Sequence, residues 1–167
     1  MKRLIICLVV IFSIICLLIS CAPILTPGQE RIKRVIDDYE QVKLKSTYSA
    51  EEKVQVAQQL LDIVLEYEDI LYRRQAISYS AEDAIRGLKS DTTHEAASLL
   101  FAAGEQYKNE GQIEKSKQVY KMIISTFIGT AYGAYRERAR MEIDDLRSQS
   151  LKFFLNLAEE SAVLQRL

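Results

Sequence analysis

The chain has no tryptophan, one histidine and two prolines, and its three cysteines all fall at or before residue 21. Each scarcity excludes something. Zinc sites draw on several Cys or His ligands, and one histidine with no cysteine beyond Cys21 does not supply them. A disulfide framework needs cysteine pairs inside the folded part, and none are there. From Gly28 onward 140 residues run without a proline, and no stretch alternates with period two, which argues against a sheet. A basic surplus is missing as well. The 22 Lys and Arg stand against 23 Asp and Glu, so no nucleic-acid partner is expected. Neither a glycine-rich phosphate loop nor a nucleophile elbow appears. The expectation is no enzyme activity, no catalytic residue, no metal and no cofactor.

The N-terminus carries the densest information. Met1-Lys2-Arg3 is a short positive region, and Leu4 to Ser20 is an uncharged apolar run. That suits a signal segment and is slightly short for a spanning helix. It ends in Leu18-Ile19-Ser20-Cys21. These residues resemble the lipobox of bacterial lipoproteins: an aliphatic residue, a tolerant position, a small residue, then the cysteine. Cys7 and Cys16 follow bulky isoleucines and do not fit. The resemblance implies a signal peptide over 1–20 and lipid on the Cys21 sulfur, whose thiolate is the nucleophile. The alternative is an uncleaved N-terminal membrane anchor. Several acyl chains at about 0.8 kcal/mol per buried CH₂ would hold the domain on a membrane. Residue 22 is Ala rather than Asp, which in lipoproteins of two-membraned bacteria favours the outer membrane. Residues 21–28 hold both prolines and read as a lipidated tether.

Residues 29–167 read as one all-α domain of about seven helices in antiparallel hairpins. Thr26-x-x-Gln29 has capping-box form with Pro27 at the first helical position. Ile32, Val35, Ile36, Tyr39 and Val42 share one helical face. Ser49-x-x-Glu52 opens a second helix, with a stripe from Ala57 to Leu71. A third is expected over about 69–88, ending near Gly87 and Ser90-Asp91. Thr92-x-x-Glu95 then reads as the capping box of a fourth, which stops at Gly111. A fifth spans about 112–127, and Gly129 breaks it. Thr130 can cap a sixth over about 131–147, and Ser148 to Ser150 is a turn before a seventh.

One stretch resembles a tetratricopeptide unit, about 34 residues in two helices. Starting the unit at Ala97 puts Leu100, Ala103, Gly104 and Tyr107 at the preferred first-helix positions. Gly111 falls at the turn, and Ser116, Tyr120 and Ile123 on the second helix. Ser116 takes a place where a small residue lets the helices close. Ile128 stands where the family usually has Pro, and Ala139 falls one residue late in the next unit. Leu60, Ile63, Val64 and Tyr67 echo Tyr120, Ile123, Ile124 and Phe127. The implied fold is a short, irregular tetratricopeptide-like solenoid, against a helical bundle that imitates one.

His94, between Thr93 and Glu95, reads as a solvent-facing residue near a helix N-terminus. Adjacent acidic pairs such as Asp144-Asp145 point about 100° apart on a helix and suit no acid–base chemistry. Tyr39, Tyr67, Tyr107 and Tyr120 lie on apolar stripes and should be core. In repeats of this kind the first helix lines a groove, which implies that Phe101, Glu105 and Lys108 face it, with Tyr132 and Tyr135 nearby. Aromatic anchors among mixed charges suit a peptide or a partner helix; ordinary packing between repeats is the alternative. The last helix has two apolar sides, one of Leu151, Phe154, Leu155, Ala158 and Ala162, the other of Phe153, Leu157 and Leu164. It either tucks between other helices or offers a docking face, for a partner or a second copy.

The architecture looks like tetratricopeptide lipoproteins of the BamD type, and like the repeat domain of the periplasmic Tol-Pal coordinating protein. What the resemblance implies is an outer-membrane, periplasm-facing lipoprotein that binds other envelope proteins as a scaffold in envelope assembly or maintenance. Two other readings stay open: a self-associating structural lipoprotein, and an accessory subunit of an envelope enzyme or transporter.

Overall fold

A computed structural model describes residues 26–73 and 78–164, with the side chains at 153 and 157–164 left out. Residues 1–25, expected to hold a signal segment, the lipidated Cys21 and a tether, lie outside the described residues, as do the side chains of Phe153, Leu157 and Leu164. The described chain is all-helical: α1 (Pro27–Lys43), α2 (Ala50–Tyr72), α3 (Tyr79–Asn109), α4 (Ile113–Thr126), a short 3-10 turn (Thr130–Tyr132) and α5 (Gly133–Leu164). Each helix packs chiefly on its neighbours in sequence.

Local chemistry sets several boundaries where the sequence puts them. At the start of α1, Thr26 and Gln29 cap each other reciprocally, with Pro27 in the first turn. Ser49 and Glu52 do the same for α2. Hydrogen bonds to Ser49 and Ser46 also hold the Glu52 carboxyl below its usual pKa. α3 ends in a Schellman arrangement. Gly111 sits at φ 73°, its N–H donates to the Lys108 carbonyl at 3.1 Å, and Gln112 N–H donates to the Tyr107 carbonyl at 2.8 Å.

The expected seven helices resolve into five among the described residues, because two expected breaks are continuous helix. The stop at Gly87 to Asp91 and the start at Thr92 both lie inside α3, which runs for 31 residues. The Thr92 and Thr93 hydroxyls do not cap; they donate to the carbonyls of Leu88 and Lys89, both at 2.7 Å. Such a bond one turn back satisfies the hydroxyl without ending the helix. Both threonines are buried. The true start of α3 is capped by Ser78, whose side chain accepts from Ala81 N–H. Ser148 to Ser150 is likewise no turn. Ser148 and Ser150 donate to Asp144 and Leu146 carbonyls at 3.0 and 2.9 Å, and α5 continues for 32 residues. Thr130 caps nothing; it opens the 3-10 turn.

The core is one cluster fed by every helix. Tyr39, Tyr67, Tyr107 and Tyr120 are all in it, with Leu60, Leu100, Ile123 and Leu146. α3 and α4 approach closely at Gly104. Gly104 lies under the Tyr120 ring so closely that an added Cβ would stand 2.8 Å from two ring carbons. Ser116, fully buried, donates to the Gly104 carbonyl at 2.8 Å. Small residues at 104 and 116 thus allow this approach.

Registers between helices follow from ion pairs. Arg31 of α1 meets Glu66 at 2.5 Å and Asp69 at 2.7 Å near the end of α2. Lys89 of α3 meets Glu68 at 2.7 Å. The start of α1, the end of α2 and the first half of α3 therefore share one end of the molecule. α5 runs the same way as α3, with Lys108 pairing to Asp145 at 2.8 Å. Beyond Leu146, residues 147–164 run past the end of α3 for about 27 Å at 1.5 Å per residue. No side chain described along this stretch is buried.

Candidate functional site

A cleft opens where α3 outruns α4. α4 has 14 residues against 31 in α3, so its C-terminus stops beside the middle of α3, and the chain turns back through the 3-10 turn. The gap between α3 and this turn holds a cavity of about 440 Å³. Its α3 wall presents Arg86, Lys89, Ser90, Thr93 and His94; the opposite wall presents Ala131, Tyr132, Ala134 and Tyr135; Leu71 of α2 closes one side. No Asp or Glu is among the described residues that line it.

The aromatic wall is well supported. Tyr132 and Tyr135 stack with planes 12° apart and centroids at 6.3 Å. Phe127 meets Tyr135 edge-on at 5.3 Å and Tyr132 at 5.8 Å. Such pairs add about 0.5–1.5 kcal/mol beyond area burial. The Tyr135 hydroxyl is hydrogen-bonded to Nδ1 of His94. Burial, and then Tyr132, raise the Tyr135 pKa, which keeps the phenol protonated. With a neutral imidazole carrying its proton on Nε2, the phenol donates to Nδ1. His94 is exposed, as expected, but sits in mid-helix rather than near an N-terminus.

Both cations already have carboxylate partners. Arg86 pairs with Glu82 one turn back at 2.5 Å, and Lys89 with Glu68. The Arg86–Glu82 pair is exposed and contributes about 0–1 kcal/mol, whereas Lys89 is half-buried and its pair with Glu68 also links α3 to α2; a ligand anion entering the cleft would exchange with these carboxylates.

The residues expected along a groove are divided by the structure. Tyr132 and Tyr135 line the cleft. Phe101 is buried between Tyr120 and Tyr135, at 6.1 and 6.4 Å, with the Arg138 guanidinium 4.3 Å above its ring. Lys108 ties α3 to Glu142 and Asp145 of α5, and the Asp145 hydrogen bond raises its pKa. Glu105 is exposed on the same helix. On the last helix Leu151, Phe154 and Leu155 are exposed, Leu151 at 63% and Leu155 at 56%.

Arg86, Lys89 and Ser90 escaped the sequence reading, since they lie in the stretch read as a helix end and loop. A cation pair three residues apart on one helical face was the available signal. No described group of three His, Cys, Asp or Glu residues is placed to hold a metal. No described helix is long and apolar enough to cross a membrane. Among known proteins, the chain matches no family model, no curated protein and no solved structure.

Proposed function

We propose that this chain is a lipid-anchored scaffold of the bacterial envelope, held on the outer membrane through Cys21 with its helical domain in the periplasm. It binds other proteins and performs no chemistry of its own. The lipobox Leu18-Ile19-Ser20-Cys21 supports the anchor. The α3–α4 hairpin, closed through Gly104, Ser116 and Tyr120, supports a tetratricopeptide-like solenoid. The observation that carries the binding role is the acid-free, tyrosine-walled cleft beside α3. Its size falls in the range of built ligand sites, about 300–1,000 Å³.

The anchor constrains how the domain is presented. Thr26 lies five residues after Cys21, so an extended tether reaches about 18 Å. The cleft shares its end of the molecule with the start of α1, the end of the described domain nearest Cys21 in sequence.

The test has two parts. Mass spectrometry of the N-terminal peptide should find acylated Cys21, and Cys21→Ser should release the protein from membranes. Full-length protein from gently solubilised membranes should bring down a reproducible set of envelope proteins. Recovery of the protein alone, at a mass above monomer, would refute the scaffold. It would favour a self-associating structural lipoprotein, the reading supported by exposed Leu151 and Leu155 on the extended α5.

A further inference from the structure

We propose that the cleft recognises a peptide carboxylate carried next to an aromatic or large aliphatic side chain, on a segment of a partner protein. This deepens the scaffold reading and rests on its protein-binding part, though not on lipidation.

Charge is the first argument. The whole chain has one more acidic than basic residue, yet the cleft lining holds Arg86 and Lys89 and no described carboxylate. The two cations lie three residues apart, so both project from one face of α3. Ser90 adds a hydroxyl beside them. A carboxylate entering here takes the place of Glu82 on Arg86 and of Glu68 on Lys89, so that both cations keep a charge-assisted pair.

Shape is the second argument. Across from the cations stands the stacked Tyr132–Tyr135 pair, backed by Phe127 and tied to His94. A ring or branched aliphatic chain gains from that wall, whereas a bare phosphate or a glycerol headgroup does not. The hydrogen bond and the packing behind Tyr135 hold the wall in place before a ligand arrives, which lowers the ordering cost of binding. The carboxylate can come from a chain terminus or from an Asp or Glu side chain, and the two sources are separable by experiment.

The full-length protein in mild detergent is titrated with short peptides and followed by NMR. His94 is the chain's only histidine, so its imidazole resonances report on the cleft without ambiguity. The probes are a hexapeptide ending in Phe with a free carboxylate, the same peptide amidated, and an amidated peptide with an internal Glu-Phe pair. Saturable shifts with a carboxylate peptide, and binding at least tenfold weaker for the amide lacking it, are expected. Binding of the free-acid terminus alone assigns a chain end; equal binding of the internal Glu-Phe peptide assigns a side chain; both support the proposal. Arg86→Ala with Lys89→Ala should abolish the difference between acid and amide. Equal binding of acid and amide, or no shift at millimolar peptide, would overturn it. So would inorganic phosphate or phosphatidylglycerol vesicles shifting His94 as strongly as the peptide. The acid–amide comparison uses the unaltered protein, so it stands even if the double variant folds poorly. If the peptides fail while envelope proteins still co-purify, the cleft assignment falls and the scaffold reading survives.

Discussion

Replacing Gly104 and Gly87 by alanine places one substitution in two surroundings on the same helix. Helix propensity favours alanine at both positions by about 0.8–1.0 kcal/mol. At Gly87 nothing lies within 4 Å of the added Cβ, so G87A should stabilise by about that amount. At Gly104 the Cβ would stand 2.8 Å from Cε1 and Cζ of Tyr120. That ring is 1% exposed and packs against Phe101 at 6.1 Å, so it cannot swing clear. Overpacking costs about 1–3 kcal/mol. Pushing α4 away would also stretch the 2.8 Å bond from Ser116 to the Gly104 carbonyl, worth about 0.5–1.5 kcal/mol. The net for G104A is a loss of about 1–3 kcal/mol, a fall of about 3–9 °C in thermal midpoint. G87A should rise by about 2–4 °C. Thermal melts followed by far-UV circular dichroism, with urea titrations for free energies, measure both. A G104A protein as stable as the parent would refute the close approach of α3 and α4.

Three further outcomes follow from the core and the tail. The Tyr67 hydroxyl is buried with no hydrogen-bond partner among the described residues; Tyr67→Phe should therefore leave stability unchanged or raise it by up to about 1 kcal/mol, and a clear loss in urea titration would reveal a partner. Burial pushes the Tyr67 and Tyr120 hydroxyls up to about 12. An unfolded tyrosine loses its proton near pH ~10, so between those values the unfolded chain holds fewer protons. Stability should stay level up to pH ~10 and fall from there toward pH ~12; urea midpoints rising over that window would contradict the buried phenols. Leu151→Ser with Leu155→Ser removes exposed apolar groups, so the thermal midpoint should hold within about 2 °C. A larger drop would show that these side chains are packed.

The helical class, the capped starts at Thr26 and Ser49, and the end at Gly111 were legible because each depends on atoms a few residues apart. A capping box needs only its own side chains and the first N–H groups. A Schellman turn needs a residue that tolerates positive φ. The four tyrosines assigned to the core were legible for a similar reason, since helical spacing places them on the same faces as Leu and Ile. Half of the candidate site was visible too: Tyr132 and Tyr135 stood out as aromatic residues beyond a turn.

What sequence pattern could not decide were choices between two local solutions of similar energy. Thr92 with Glu95 satisfies the capping pattern, yet its hydroxyl bonds back to Leu88, because the packing of α2 along α3 favours an unbroken helix. The serines at 148 and 150 also bond back one turn, on a stretch where no described side chain is buried. Phe101 reads as a groove residue by register, but α5 closes over it. The cleft is likewise a product of unequal lengths: it exists because α3 is long and α4 is short, so that Arg86 and Lys89 come to face two tyrosines from residues more than forty positions later. Amino-acid sequence alone determined a helical chain, its caps and its core stripes, since these rest on local geometry and on the period of apolar residues. Tertiary structure decided that α3 continues through Thr92 and which side chains meet across the cleft, since those outcomes depend on surface buried against distant segments.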